Sequence, residues 1–229
     1  MITTFETSPL VANIKAAERA ASKDYTRLHL ACIRLELDGN TTRFIATNGH
    51  WMWVNEVTTC DTVGTDRPII HIRQDEVRRI LGALNKTKAA ASFLPIVLDT
   101  MARTLTQGPL TLGIGTDPCP EGEDRFPPYR QVFPGVHTFD TSTGVNVIAA
   151  AYLADVAASM ADVAQAPKDC SIRYHSTSDQ YGPSVFTSST SSAVAVVMGV
   201  RDETPLDGLR TLARYAGVSY APPDERPTA

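Results

Sequence analysis

The stretch ATNGHWMWV, residues 46–54, lies within a strand-like run of β-branched and aromatic residues at 43–57. A second strand-like run covers residues 29–37, and Asp38-Gly39-Asn40 joins the two runs. Asp-Gly between two β-type runs is a good hairpin signal, because both residue types tolerate the backbone angles of a tight turn. We therefore predict an antiparallel hairpin in this region.

A predicted helix precedes the hairpin. Ser8 is placed to cap it, Pro9 suits its first turn, and the helical pattern continues to about Asp24. Apolar residues recur on one face at helical spacing. The opposite face carries a row of three basic residues, Lys15, Arg19 and Lys23.

The order strand, helix, strands then occurs twice more. In the second copy the strands are predicted at 68–72, 95–106 and 110–115 and the helix at 74–85, with Arg78, Arg79 and Lys86 on its outer side. In the third copy the strands are predicted at 144–148, 171–175, 184–187 and 193–200 and the helix at 149–163. The repeat is one of pattern only, with a period of roughly 65 residues. A last helix is predicted from Pro205 to Ala216, followed by a proline-rich tail.

Composition limits the possible classes of protein. The chain has 229 residues, 43% of them hydrophobic, and a net charge of −4, which is enough for one large domain or two small ones. Residues 1–135 carry 15 basic and 15 acidic side chains, so contact with a polyanion would need local basic stripes. No apolar run approaches the ~20 residues of a membrane span. The first residues do not resemble a signal peptide, and the widely spaced cysteines disfavour a disulfide scaffold, so we expect a cytoplasmic location.

Signals of catalysis or metal binding are weak. The four cysteines lie far apart, the five histidines lack metal-ligand spacing, and HExxH and GxSxG are absent. Gly113-Ile114-Gly115 is a lone GxG without a following phosphate-binding helix. We therefore predict a protein that is not an enzyme and that has no catalytic residue, metal or cofactor.

Four segments carry a family resemblance. Residues 46–54 resemble the Ala-Thr-Asp-Gly-His-Arg-Leu-Ala segment in the middle domain of the bacterial DNA polymerase III beta subunit, the sliding clamp. RFPPYRQVFP, residues 125–134, resembles the linker between the middle and last domains of that family. Residues 194–201 resemble the final strand of the clamp, and residues 152–156 its last helix. The four segments occur in the family's order.

The resemblance implies an α+β, DNA-clamp-like fold. Residues 1–135 match one complete clamp domain, 136–201 match half a domain, and 202–229 form a C-terminal helix and flexible tail. Clamp domains each contain two strand–helix–strands units. The chain would therefore hold three units, or one and a half clamp domains, which agrees with the threefold pattern read from the residues.

The resemblance also implies a groove that binds a peptide of a partner protein. Carried over by motif position, its residues are Leu30, Thr47, Gly49, His50, Trp51, Met52, Pro127, Gln131, Val132, Tyr152, Ser184, Val196, Val197, Met198, Val200 and Arg201. Aliphatic walls, a methionine and aromatic rims suit a peptide groove. Trp51, Gln131, Gly199 and Val200 depart from the family's residues at these positions, so partner specificity does not carry over.

Two functions remain open from the sequence. The first is a replication processivity factor that tethers a DNA polymerase or other clamp-binding protein to double-stranded DNA, through sequence-independent phosphate contacts of Lys15, Arg19, Lys23, Arg78, Arg79 and Lys86. The second is a regulatory or decoy homologue that binds clamp partners without forming a ring. Three units per chain predict a homo-oligomer, either a dimer or a four-chain ring, because the apolar face of the third helix would otherwise have no partner within the chain.

Overall fold

The structure is a computed structural model that describes residues 1–86, 94–115, 126–133, 148–164, 170–176 and 182–199, and of residues 85 and 86 the backbone only. The described helices are α1 (Thr7–Ala20), α2 (Gln74–Lys86) and α3 (Ala150–Val163). The described strands are β1 (Ile2–Phe5), β2 (Cys32–Asp38), β3 (Thr41–Thr47), β4 (Trp51–Thr58), β5 (Asp61–Val63), β6 (Ile69–Arg73), β7 (Ile96–Asp99), β8 (Thr104–Gln107), β9 (Leu110–Gly113), β10 (Ile172–His175), β11 (Ser184–Ser188) and β12 (Val194–Val197).

The strands form two antiparallel sheets. The five-stranded sheet has the order β5-β1-β7-β8-β9, and the seven-stranded sheet has the order β10-β11-β12-β4-β3-β2-β6. In the seven-stranded sheet β12 pairs with β4 so that Val196 lies opposite Met52 and Val197 opposite Trp51. This pairing joins the strands of the third unit to those of the first in one sheet.

Side chains of β4 and β12 alternate between two apolar clusters. Trp51, Trp53, Ala195 and Val197 belong to the inner cluster, which contains the buried faces of the helices and of the five-stranded sheet. Their sequence neighbours, including Met52 and Val196, belong to the outer cluster on the opposite face, together with Phe126 and Tyr129. Since successive strand residues point to opposite faces, strands that are apolar throughout can be buried on both sides.

Helix α1 contacts both α2 and α3. Val156 and Met160 of α3 are fully buried in the inner cluster, and Ser159 donates a hydrogen bond to the carbonyl oxygen of Ala16 on α1. Val163 packs against the same cluster. The prediction that the apolar face of the third helix lacks a partner within the chain is therefore wrong, because α1 covers it.

A buried polar chain crosses the junction between α1, β4 and the turn before β12. The Asn13 amide donates to the carbonyl oxygen of Pro9, and the Asn55 amide donates to the side-chain oxygen of Asn13 at 2.7 Å. Ser192 donates to the side-chain oxygen of Asn55, also at 2.7 Å. The two buried amides are thus hydrogen-bonded from both sides, as burial requires.

The predicted α+β fold with a helix in each unit is confirmed, although several boundaries differ. The first helix begins at Thr7 after Glu6, without a side-chain cap, so the prediction of Ser8 as the cap is wrong. This helix ends at Ala20, which places Lys23 beyond it. The run at 43–57 is two strands separated by the turn at 48–50, and 95–106 is likewise two strands.

The predictions for 144–147 and for the C-terminal helix and tail fall outside the described residues. In the described part of the chain, no helix is long and apolar enough to cross a membrane.

Substitution Met160→Ala tests the packing of α3 on α1. Removing a fully buried methionine should reduce the free energy of unfolding by about 2–5 kcal/mol, because a cavity remains at the helix–helix contact. Leu153→Ala on the same helix, where the side chain is 46% exposed, is the matched control and should change stability by less than about 1 kcal/mol. Urea unfolding measures both. Equal, small effects would show that α3 does not pack as described.

Candidate functional site

The turn between β3 and β4 is fixed by side chains of the motif 46–54. The Asn48 side-chain oxygen accepts hydrogen bonds from the backbone amides of His50 and Trp51 at 2.9 and 3.0 Å. Thr47 donates to the carbonyl oxygen of Trp51 and accepts from the Gly49 amide. Gly49 has a φ of +89°, a conformation that favours glycine. The end of β12 is tied to this turn, because the Met198 amide donates to the carbonyl oxygen of His50.

The linker segment, residues 126–133, packs against the outer cluster of the seven-stranded sheet. Phe126 and Tyr129 are its buried anchors, and Val132 and Phe133 pack partly against the same cluster. The guanidinium of Arg34 lies 5.3 Å from the centre of the Phe126 ring, within cation–π range. A single 3-10 turn, Tyr129–Gln131, then turns the chain along the sheet.

A carboxylate on β2 holds the linker segment in place. Glu36 accepts hydrogen bonds from the Tyr129 hydroxyl at 2.8 Å, from Arg34 at 3.0 Å and from Arg43 at 3.1 Å. Arg130 lies 3.5 Å from the same carboxylate. We call these five residues the Glu36 cluster. Burial raises the pKa of Glu36, but the hydrogen bond from Tyr129 and the neighbouring Arg34 and Arg43 outweigh it and hold the pKa below its ordinary value.

A groove of about 480 Å³ opens between the turn, the linker segment and the end of β12. Its lining residues are Thr47, Gly49, His50, Trp51, Met52, Pro127, Tyr129, Gln131, Val132, Pro183, Val196 and Met198. Met52 and Val196 are buried, whereas Met198 is 42% exposed at the rim. The His50 ring stacks on the Tyr152 ring with 5.8 Å between centroids, which extends this side of the groove toward α3.

Ten of the sixteen residues predicted for the groove line it. Tyr152 contacts the lining residue His50 without lining the groove itself. Leu30, Ser184 and Val197 are buried elsewhere: Val197 in the inner cluster, and Ser184 within 3.4 Å of the Tyr174 hydroxyl. Val200 and Arg201 fall outside the described residues.

The predicted orientation of the Trp51 side chain is wrong. Trp51 borders the groove, but its side chain is 1% exposed and belongs to the inner cluster, so it is not the aromatic rim that the sequence suggested. The reason is strand alternation: Met52 faces the groove, and its neighbour on β4 must face the helices.

Sequence reasoning missed Tyr129, Pro183 and Glu36. Tyr129 stands within the quoted motif RFPPYRQVFP, between two residues that were predicted, and that position was its signal. Pro183 directly precedes the predicted Ser184. Glu36 had no signal in the sequence, because its partner Tyr129 lies 93 residues away.

A second cavity, of about 680 Å³, lies on the other side of the linker segment and shares Pro127, Tyr129 and Gln131 with the groove. We call it the arginine cavity. Its charged lining residues are Arg34, Arg43, Arg67, Arg130, Glu36 and Asp38. Four guanidinium groups thus face two carboxylates in a chain whose overall charge is −4.

Three of the six residues predicted to contact DNA are engaged with protein groups. Arg19 forms an ion pair with Asp162 of α3, and Arg78 lies 3.7 Å from Glu18. Arg79 donates to the carbonyl oxygen of Gly113. Lys15 is half-buried and Lys23 exposed, while the Lys86 side chain falls outside the described residues.

Solved sliding clamps match the structure in fold. The DNA polymerase III beta subunit from Thermotoga maritima is 14% identical with a TM-score of 0.65, and a DNA polymerase sliding clamp from Pseudomonas aeruginosa with ligand is 18% identical with a TM-score of 0.64. A Pseudomonas aeruginosa clamp bound to griselimycin is 16% identical with a TM-score of 0.63. Each match covers 88% of this chain and 66% of the other, so the chain spans about two thirds of the length of these clamps.

These matches confirm the predicted clamp-like fold. No protein-family model matches the sequence, and no curated protein matches it.

Substitution Glu36→Gln tests the Glu36 cluster. Because the pKa of Glu36 is lowered in the folded state, its charge contributes stability above the unfolded pKa of about 4.3. That contribution is lost as pH falls through the lowered folded-state pKa. The variant should therefore be less stable than the wild type at pH 7, and the difference in urea midpoint should shrink toward pH 3. A difference independent of pH would assign the effect to packing instead of charge.

Proposed function

We propose that this protein binds a short apolar segment of a DNA polymerase or another clamp-binding protein in the groove, and that it acts as a sliding-clamp-like replication processivity factor. The observation that carries the proposal is the convergence of three distant segments on one concavity. The turn at 48–50, the linker segment and the end of β12 each contribute lining residues. All three were singled out in the sequence by their resemblance to clamp segments.

The chemistry of the groove suits an apolar peptide. Buried Met52 and Val196 provide a floor without charge, and Val132 and Pro127 add aliphatic wall. Met198 at the rim is flexible and polarisable, which allows it to adjust to different partner side chains. Thr47, His50 and Gln131 supply the few polar groups that orient a bound segment.

Tethering would be the mechanism of action. A clamp performs no bond chemistry; it raises the effective concentration of its bound partner along DNA. We propose that contacts with the duplex are made to phosphates by basic residues of the helix layer, Lys15 among them. Since the chain spans 66% of the length of the clamps it matches, encircling DNA would require a homo-oligomer, a dimer or a four-chain ring.

A second candidate function is supported by the charges of the helices. Asp162 pairs with Arg19, and Glu18 lies beside Arg78, so two predicted phosphate contacts are already occupied by carboxylates. The exposed positions of α3 are alanines and a leucine, Ala150, Ala151, Leu153, Ala154 and Ala157, none of which contacts a phosphate electrostatically. These observations favour a regulatory homologue that binds clamp partners without encircling DNA.

Substitution Met198→Ala tests the groove. Truncating a rim side chain that is 42% exposed should leave the fold intact and weaken binding of a clamp-binding peptide about tenfold. Fluorescence anisotropy of a labelled peptide from a polymerase measures the affinity. Met101→Ala, at a methionine that is 84% exposed and lines neither cavity, is the matched control and should bind like the wild type. Equal affinity of both variants would remove Met198 from the site.

Molar mass and DNA retention separate the two candidate functions. A processivity factor should have a molar mass of two or four times 24.8 kDa by light scattering. It should remain on nicked circular DNA and dissociate when the DNA is linearised. A monomer that binds the peptide but is not retained on circular DNA would contradict the processivity role and support the second candidate.

A further inference from the structure

We infer that the arginine cavity is a second binding site, which takes acidic residues flanking the apolar segment of the same partner peptide. This inference rests on the proposed function of the groove. It assigns a role to the concavity on the opposite side of the linker segment, where the chemistry is ionic instead of apolar. The occupant is therefore a peptide with an apolar anchor and an acidic flank.

The two concavities adjoin each other. Pro127, Tyr129 and Gln131 line both, so only the linker segment separates them. A peptide anchored in the groove has only to cross this segment to place its next residues in the arginine cavity. At about 3.3 Å per residue, a flank of four extended residues reaches more than 10 Å.

The arginine cavity has a positive balance of charge. The lining residues carry four guanidinium groups and two carboxylates. Arg34 and Arg43 are committed to Glu36, with Glu56 a further acceptor for Arg43. The other two arginines, Arg67 and Arg130, have side chains that are 75% and 73% exposed at the mouth of the cavity.

The existing partners of these two arginines can be exchanged for a peptide carboxylate. Arg67 pairs with Asp38 at 2.9 Å, but the Asp38 side chain is itself 61% exposed. Arg130 lies 3.5 Å from Glu36, beyond the range of a strong charge-assisted bond. Exposed pairs contribute little net stability, so their rearrangement toward an incoming carboxylate costs little.

Arg67 is the residue that tests the site without disturbing the groove. Arg130 contacts the Tyr129 hydroxyl, and its replacement would affect the linker segment as well. Arg67 contacts Asp38 and no residue of the linker segment among the ion pairs described. Arg27 pairs with Asp24, has a side chain that is 59% exposed and lines neither cavity, so it serves as the control.

The experiment compares three forms of the labelled polymerase peptide: with four aspartates added at its amino end, with four aspartates added at its carboxyl end, and with four serines added instead. At low salt one aspartate form should bind about fivefold more tightly than the serine form, and the difference should disappear in 0.5 M NaCl. Arg67→Gln should remove at least half of this gain, and Arg27→Gln none. Asp38→Asn, which removes the competing carboxylate, should increase the gain.

The outcomes distinguish this inference from the proposed function. If the serine peptide binds and neither aspartate form binds more tightly, the arginine cavity takes no acidic flank, while the groove retains its role. A gain that Arg67→Gln leaves unchanged would likewise overturn the inference. If no form of the peptide binds, the proposed function fails and the inference fails with it.

Discussion

The pairing of β12 with β4 is the interaction on which the other features depend. It sets Val196 beside Met52 on the outer face of the seven-stranded sheet, and Val197 beside Trp51 on the inner face. The outer pair becomes the floor of the groove, and the inner pair joins the core beneath the helices. Burying both faces of two apolar strands contributes to stability at roughly 25 cal/mol per Å² of apolar area. Stability and groove therefore arise from the same four backbone positions.

The outer face carries two kinds of chemistry that meet at the linker segment. Tyr129 illustrates this, since its ring packs in the outer cluster while its hydroxyl donates to Glu36. The apolar side of the segment forms a wall of the groove, and its polar side faces the arginines of β2 and β3. The helix layer shows a contrasting arrangement, in which carboxylates on α1 and α3 lie beside arginines of α1 and α2. Positive charge is thus concentrated in the arginine cavity more than on the helices.

Local signals in the sequence predicted much of the fold and most of the groove. The Asp38-Gly39-Asn40 turn and the apolar strands were readable because their determinants are adjacent residues, whereas the turn at 48–50 was predicted as part of a strand. Orientation was harder to predict, as Trp51 and Val197 show: motif position selected consecutive residues of a strand, although only alternate ones share a face. Contacts between residues far apart in the sequence could not be predicted. Nothing near Glu36 indicates Tyr129, and nothing near Arg19 indicates that Asp162 lies 143 residues away beside it. The covered face of α3 was mispredicted for the same reason.

The buried chain of Asn13, Asn55 and Ser192 has a consequence for the folding pathway. Ser192 lies 137 residues from Asn55, so closing this contact requires a large loss of chain entropy and is expected late. In the folded chain α1 and β4 position the Asn13–Asn55 amide pair, and Ser192 in the turn before β12 donates to the side-chain oxygen of Asn55. A hairpin shifted by one residue would exchange the two faces of β12 and leave the buried amide without its donor. The buried hydrogen bond therefore adds to the burial of apolar side chains in disfavouring a hairpin docked out of register.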